Sequence, residues 1–318
     1  MLICRSSAKV NLTLDVLSRR SDGYHELQSV VHTIGLWDIL TFEFNSTPGL
    51  SLRCNDPQLE NDSNLCLKAA RAWQEVAGRG GTQYFDGVRI TLEKHIPSGA
   101  GLGGGSGNAA ATLLSLNHKF DNPLSDAELL RLATSLGADV PLFVRGGCVL
   151  MEGIGDQLTP LPALDGWLVV LKPPIGFSTP EIYRQWDEHG YVSARGTQVM
   201  QAALQAHDLK QVANALQNDL SRPAQVLGTA PNQAVVADIR SLCDSLMAVG
   251  ALGAAMTGSG SAVFGVFESE QIAQEARQWL YHVVGTDGKK GVAAMQVMIA
   301  PFCQDGVEFL SSGTVSVP

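Results

Sequence analysis

The chain has 318 residues, enough for one large or two ordinary domains. With 45% hydrophobic and 17% charged residues it can bury a full core, which excludes a disordered chain. A formal charge of −9 without any Lys/Arg cluster argues against a nucleic-acid surface, and no apolar run reaches the roughly 18 residues of a membrane span.

The six cysteines are scattered, with no C-x-x-C pair and no His-rich neighbour. That pattern offers no recognisable zinc site and suggests reduced thiols. The first residues, Met1-Leu2-Ile3-Cys4-Arg5, lack the apolar core of a signal peptide, so the expected setting is the cytoplasm.

Residues 6–18 alternate as a strand does. Val10, Leu12, Leu14 and Val16 share its core face, which places Lys9 and Asn11 on the opposite one. Asp22-Gly23 is a tight-turn dipeptide, followed directly by Tyr24 and His25. Residues 30–44 read as one or two strands, and 63–77 as a helix with Leu65, Ala69, Ala70 and Trp73 on one face. Asn64 stands where that helix needs a cap. Val88-Arg89-Ile90-Thr91-Leu92 is a half-buried strand, with Lys94 just beyond it.

Next comes Pro97-Ser98-Gly99-Ala100-Gly101-Leu102-Gly103-Gly104-Gly105-Ser106-Gly107-Asn108, running into an Ala/Leu-rich helical stretch. Glycines between a strand and a helix N-terminus make a phosphate cradle. Unpaired N–H groups and the positive end of the helix dipole favour an anion, and glycine lets the backbone approach it. Gly99, Gly101 and Gly104 fit G-x-G-x-x-G, but the acid expected about 20 residues on falls at Asp121, in a loop. A P-loop needs Lys then Ser/Thr where this chain has Ser106-Gly107-Asn108. A protein-kinase loop lies between strands, and no H-R-D or D-F-G occurs.

Ser125-Asp126-Ala127-Glu128 is a capping box for a helix that ends at Gly137. In Gly137-Ala138-Asp139-Val140-Pro141, Asp139 is either a cap or a placed carboxylate, and the proline is expected to hold the preceding residue out of the α region. Thr159-Pro160-Leu161-Pro162 breaks the pattern and suggests a domain boundary within 158–166. Residues 167–171 form a buried strand leading to Phe177, Ser178 and Thr179. Gly253 to Val266 reads strand, glycine turn, strand; a helix over 269–280 and a strand over 292–299 follow. Residues 304–318 lack periodicity, which allows a partly disordered tail.

Pro-x-x-x-Gly-Leu-Gly-x-x-x-x-x-Ala-Ala over residues 97–110 resembles the phosphate motif of the superfamily of galactokinase, homoserine kinase, mevalonate kinase and phosphomevalonate kinase. Ala8-Lys9-Val10-Asn11-Leu12, the string Arg-x-Asp-Gly-Tyr-His-x-Leu and Gly137 to Pro141 are similar to one member family, the 4-diphosphocytidyl-2-C-methyl-D-erythritol kinases of non-mevalonate isoprenoid synthesis. The resemblance covers nearly the whole chain. It implies a two-domain α+β fold. A ribosomal-protein-S5-like α/β domain over 1–162 would carry the phosphate loop, and a ferredoxin-like α+β domain over 163–303 would complete the substrate site.

The implied reaction moves the γ-phosphoryl of ATP to the 2-hydroxyl of 4-diphosphocytidyl-2-C-methyl-D-erythritol, with Mg²⁺ as cofactor and no nucleic-acid or membrane partner. Asp139 is the implied base and Lys9 its partner, an opposite charge that also faces the moving phosphoryl. ATP falls to Lys94, Asn64 and each residue of 97–108: Pro97, Ser98, Gly99, Ala100, Gly101, Leu102, Gly103, Gly104, Gly105, Ser106, Gly107 and Asn108. Ser106 is the candidate metal ligand. Substrate falls to Asn11, to Tyr24 and Phe177 as two faces of a cytosine clamp, to His25 at the base edge, and to Thr179. Gly107 replaces a second serine usual in the family, and Ala100 a common glycine, which puts a phosphate or metal contact in question. Two alternatives compete. Another small-alcohol kinase has no base to stack, which the Asp22 to His25 string and Phe177 speak against. A non-catalytic nucleotide binder would not need both Lys9 and Asp139. A monomer or weak homodimer is expected.

Overall fold

The computed structural model describes residues 1–45, 48–79, 81–229, 238–284 and 295–311. The N-terminal half opens with β1 (Leu2–Asn11), β2 (Thr13–Arg19), β3 (His25–Asn45) and β4 (Gly49–Cys54). Helix α1 (Leu65–Ala77), β5 (Gly87–Glu93), α2 (Gly104–Lys119), α3 (Asp126–Leu136) and α4 (Val140–Arg145) follow, then β6 (Cys148–Gly153) and β7 (Gln157–Leu161). Beyond them lie β8 (Trp167–Lys172), α5 (Thr179–His189), α6 (Thr197–Gln205), α7 (Leu209–Asn214), β9 (Gln217–Asn218) and α8 (Ser221–Gly228). The chain continues through α9 (Ile239–Ala248), β10 (Gly253–Met256), β11 (Val263–Phe267), α10 (Glu270–Val284), β12 (Gln296–Pro301) and β13 (Val307–Leu310).

Among the described residues these strands form two sheets. The first runs β13-β1-β3-β2-β9, with β5 and β6 also paired to the long β3. Helices α1, α2 and α3 cover one of its faces around the fully buried Trp73, whose ring lies against Tyr84 and Phe120. The second sheet is antiparallel with order β10-β11-β8-β12, the ferredoxin-like arrangement. Helices α9 and α10 pack on its outer side. Its inner side shares a core with β1 and β3, through Val10 and Ile34 against Leu168 and Phe264. The fold is therefore two-domain α+β, with one apolar layer common to both sheets.

The continuous strand expected over 6–18 is interrupted at Leu12. A register shift in the β1–β3 pairing, between Ser7 and Ala8, bends β1. Before it, Cys4 and Ser6 bond Ser115 and Asn108 of α2; after it, Ala8 and Val10 turn into the shared core. Lys9 then lies against Gly103 of the glycine loop and Asn11 against Thr257 and Ser29, and both are buried.

Three other expectations are corrected. Of the tail expected over 304–318, residues 307–310 form β13, which pairs antiparallel with β1, with Arg5 and Glu308 in an ion pair at 2.7 Å, and residues 312–318 lie outside those described. Thr159 and Pro160 do not break the pattern but sit in β7, an edge strand where a missing N–H is tolerated. The last strand of the second sheet begins at Gln296, and residues 292–294 lie outside those described. Because β9 and β13 join the first sheet, the N-terminal unit is not one continuous stretch of sequence.

His32 pins β3 to the chain leaving the first sheet. Its Nδ1–H donates to the Thr33 carbonyl at 2.8 Å, Nε2 accepts the Leu164 N–H at 3.1 Å, and the ring packs on Phe302. Both nitrogens are used only by the neutral ring, and burial pushes its pKa from 6.5 down to about 4. Between those values the unfolded chain holds a proton that the folded one does not. The stability from this group is thus complete above 6.5 and is lost as pH falls towards 4, at about 1.4 kcal/mol per unit. Urea unfolding at pH 7 and pH 5 should show the wild type losing about 2 kcal/mol more than His32→Gln between the two.

Candidate active site

A cleft of about 1350 Å³ runs along the junction of the two sheets, from α1 and the glycine loop to α5. At its centre is the loop between β5 and α2. Gly99, Gly101 and Gly103 take φ of 62°, 77° and 71°. Any Cβ on Gly101 would stand 2.2 Å from the Thr257 carbonyl oxygen, and one on Gly103 would meet Phe143 and the Lys9 stem within 3.0 Å. The loop is tied on both sides: Lys9 N–H donates to Leu102 O at 3.0 Å, and Ala262 N–H to Ala100 O at 3.2 Å.

Helix α2 starts with Gly103 at its N-cap and no acidic residue in its first turn. The first intrahelical donor is Gly107, whose N–H reaches Gly103 O at 2.9 Å. The amides of Gly104, Gly105 and Ser106 therefore project from the helix end towards the cleft, where an anion is favoured. Gly107 and Asn108 play a different part from the one expected. Gly107 lies against β1, a Cβ there falling 2.9 Å from Ser7 O, so a serine hydroxyl at this position would not face the cradle. Asn108 lines the cleft floor, but its Nδ2 is spent on Ser6 Oγ and Asp38. Ala100 is buried under the β10–β11 turn, while Pro97 and Ser98 form the cleft rim.

Lys94 is not an exposed strand-end lysine. Its ammonium pairs with the fully buried Asp38 and donates to Ile96 O. Asp38 also accepts the N–H groups of His95 and Ile96, so one carboxylate organises the entry to the loop. Asn64 caps α1 by accepting the Cys66 N–H, and it lines the cleft as well.

Lys9, 3% exposed, has its ammonium 2.5 Å from Asn11 Oδ1 and 3.8 Å from Asp139 Oδ2. The Asn11 amide is consumed inside the protein, since Nδ2 donates to Ser29 Oγ and its backbone N–H to Thr257 Oγ1. Asn11 thus holds Lys9 more than it offers groups to a ligand. Asp139 occupies the N-cap position of α4 without making a capping hydrogen bond, which leaves its carboxylate to Lys9 and the cleft. Val140 is the first helical residue, not the extended step expected before Pro141: proline at the second position of a helix removes only an orphan donor.

At the far end Tyr24 is 66% exposed and its ring face is open, whereas His25 is buried. His25 stacks on Tyr183 at 4.8 Å and bonds Asp187 Oδ1 through Nε2 at 2.7 Å. Phe177, by contrast, packs against Gly260 of the β10–β11 turn, and Thr179 Oγ1 pairs with Ser259 Oγ at 2.8 Å. Tyr183 and Asp187 were not singled out from the sequence. Their signal is helical spacing: Thr179, Tyr183 and Asp187 recur every four residues on α5 and line the cleft, while Ile182 and Trp186 are buried behind them. Among the described residues, no group of three His, Cys, Asp or Glu side chains is gathered to hold a metal ion.

Comparison with known proteins identifies the family. Residues 64–147 match the GHMP kinases N terminal domain and residues 200–282 the GHMP kinases C terminal family. A protein of Caldanaerobacter subterraneus subsp. tengcongensis named 4-diphosphocytidyl-2-C-methyl-D-erythritol kinase is 39% identical over 266 residues, 83% of this chain and 87% of its own. One of the same name from Pelobacter propionicus is 38% identical over 280 residues, 87% of this chain and 93% of its own. A crystal structure of 4-(cytidine 5'-diphospho)-2C-methyl-D-erythritol kinase superposes with a TM-score of 0.75 at 32% identity, covering 95% of this chain and 100% of that one. Homoserine kinase from Cytophaga hutchinsonii, at 18% identity and a TM-score of 0.72 over 97% of each chain, shares the fold. The chain belongs to the GHMP kinases and, within them, to the family of 4-diphosphocytidyl-2-C-methyl-D-erythritol kinases.

Proposed function

We propose that this chain transfers the γ-phosphoryl of ATP to the 2-hydroxyl of 4-diphosphocytidyl-2-C-methyl-D-erythritol, a cytoplasmic step of non-mevalonate isoprenoid synthesis carried out by a monomer or weak homodimer. The observation that carries the reading is one continuous cleft. It has a phosphate cradle and the Lys9–Asp139 pair at its centre, and an open aromatic face beside a buried histidine at its end.

In this reading the amides of Gly104, Gly105 and Ser106 hold the ATP phosphates, with Asn64 and the rim at Pro97 and Ser98 beside the nucleotide. Lys94 acts by fixing the loop through Asp38. Asp139 accepts the proton of the substrate hydroxyl as its oxygen bonds the γ-phosphorus and the bond to ADP breaks. Lys9, aimed by Asn11, faces the charge on the transferring group. Ser106, in the first turn of α2 at the cleft, would hold magnesium, which would neutralise charge on the triphosphate. Tyr24 offers a face to the pyrimidine and His25 a ring edge; Tyr183 is the second aromatic at that end, with Phe177 and Thr179 along the wall towards Gly260. Functionally, residues 1–162 together with β13 form the ATP-binding unit, and 163–303 complete the substrate site.

Asp139→Asn should lower kcat by about 10²- to 10⁴-fold while leaving ATP affinity unchanged by calorimetry; full turnover in the variant would remove Asp139 from the base role. Coupled ADP release should appear with the cytidylyl substrate and be absent with the same methylerythritol phosphate lacking the cytidylyl group. Equal rates on both would keep the kinase and discard the pyrimidine end of the cleft.

A further inference from the structure

His25 sits at the end of the cleft with two of its three approaches taken. Tyr183 covers one ring face, at 4.8 Å and 21° between planes. Asp187 Oδ1 lies 2.7 Å from Nε2, and Asp187 is itself held from the other side, with Arg19 Nη1 at 3.4 Å from Oδ2. An ionised carboxylate only accepts hydrogen bonds, so the Nε2 edge of the imidazole must carry a proton. In the neutral ring that leaves Nδ1 as a lone-pair acceptor. His25 lines the cleft, and Nδ1 has no hydrogen-bond partner among the described residues.

We propose that Asp187 is a positioning residue that selects the base of the substrate: by fixing the proton of His25 on Nε2, it presents Nδ1 as an acceptor suited to an amino-bearing pyrimidine and unsuited to a keto one. This rests on the reading of the cleft end as a pyrimidine site. Cytosine carries an exocyclic amine, a donor, where uracil carries a carbonyl oxygen. Against a lone pair the amine makes a hydrogen bond, whereas the carbonyl meets like with like in a partly desolvated site. That arrangement discriminates by leaving a buried polar group unpaired in the wrong complex, the strongest form of small-ligand selectivity. Asp187 touches neither base nor phosphate in this scheme. It acts only through the imidazole, as an orienting carboxylate does for a catalytic histidine.

The placement of Asp187 makes the idea testable without loss of the fold. Its side chain is 29% exposed and lies at a helix surface, so Asp187→Asn changes one atom type at a tolerant position. An asparagine either accepts from Nε2–H through its oxygen or donates through its amide nitrogen to an unprotonated Nε2, so the tautomer is no longer imposed.

The measurement is kcat/KM for the cytidylyl substrate and for its uridylyl analogue, in the wild type and in Asp187→Asn. The wild type should favour the cytidylyl compound by about 100-fold or more, and the variant should reduce that ratio at least about tenfold through KM, with kcat at saturating cytidylyl substrate within about threefold. In parallel, ¹⁵N spectra of the ligand-free protein near pH 8 should show an unprotonated Nδ1 for His25 in the wild type, and a mixed tautomer in Asp187→Asn. The resonance is assigned by its loss in His25→Gln. An unchanged base preference in the variant, or a protonated Nδ1 in the wild type, overturns the inference and leaves the kinase reading standing. Absence of turnover on either compound by the wild type overturns the kinase reading and this inference with it.

Discussion

The geometry of the whole site depends on how closely the glycine loop is held between two strands from different sheets. Thr257 is the hinge pin of that contact: its hydroxyl accepts the Asn11 N–H and donates to Gly101 O, while its own carbonyl leaves no room for a Cβ on Gly101. On one side the loop bonds β1 through Leu102, and on the other the β10–β11 turn through Ala100. A cradle shaped by backbone groups held at these distances needs no reorganisation when an anion arrives, which is what preorganised electrostatics requires. The same contact explains why the two sheets share an apolar layer, since a site split between independent domains would lose that register with every relative movement.

The site meets a polyphosphate in a chain of formal charge −9 with few cations. Of the two lysines in the cleft, Lys94 is neutralised by the buried Asp38, and only Lys9 stands between the loop and a second carboxylate. At the glycine loop the dipoles of the α2 N-terminus therefore add to the charge of Lys9 in favouring an anion. Asp38 and Asp139 illustrate two uses of one residue type. Asp38 is wholly enclosed by its donors and serves as structure. Asp139 is left one-third open, with a single cation nearby, and stays available for chemistry.

The glycine loop, the helix behind it and the β10–β11 turn were legible in the sequence because each depends on local rules: glycine permissiveness, helix capping and strand alternation; Lys9 and Asp139 were marked out only by the family resemblance. What escaped was set by contacts between distant segments. The bend at Ser7–Ala8 arises from how β1 pairs with β3, and alternation alone could not tell that the face bearing Lys9 is buried. Asp38 reads as an ordinary polar residue in a strand until Lys94, His95, Ile96 and Asn108 are brought around it. Tyr183 and Asp187 are hidden in a helix whose cleft-facing stripe is visible only by counting in fours. Gly107 looked like a lost phosphate contact because its spacing places it in the loop, but the first turn of α2 rotates it onto β1.

The pairing of β13 with β1 also bears on how the chain is made. Arg5 and Glu308 are 303 residues apart, yet their strands are hydrogen-bonded neighbours in the sheet that carries Lys9. During vectorial synthesis, one edge of β1 must wait for nearly all of this sequence to emerge before it can be covered, with open donors and acceptors exposed to other chains meanwhile. Closing so long a loop carries a large entropic cost before any contact rewards it, so the N-terminal sheet is completed late. The strand bearing the central lysine is thus among the first to be synthesised and the last to be sealed.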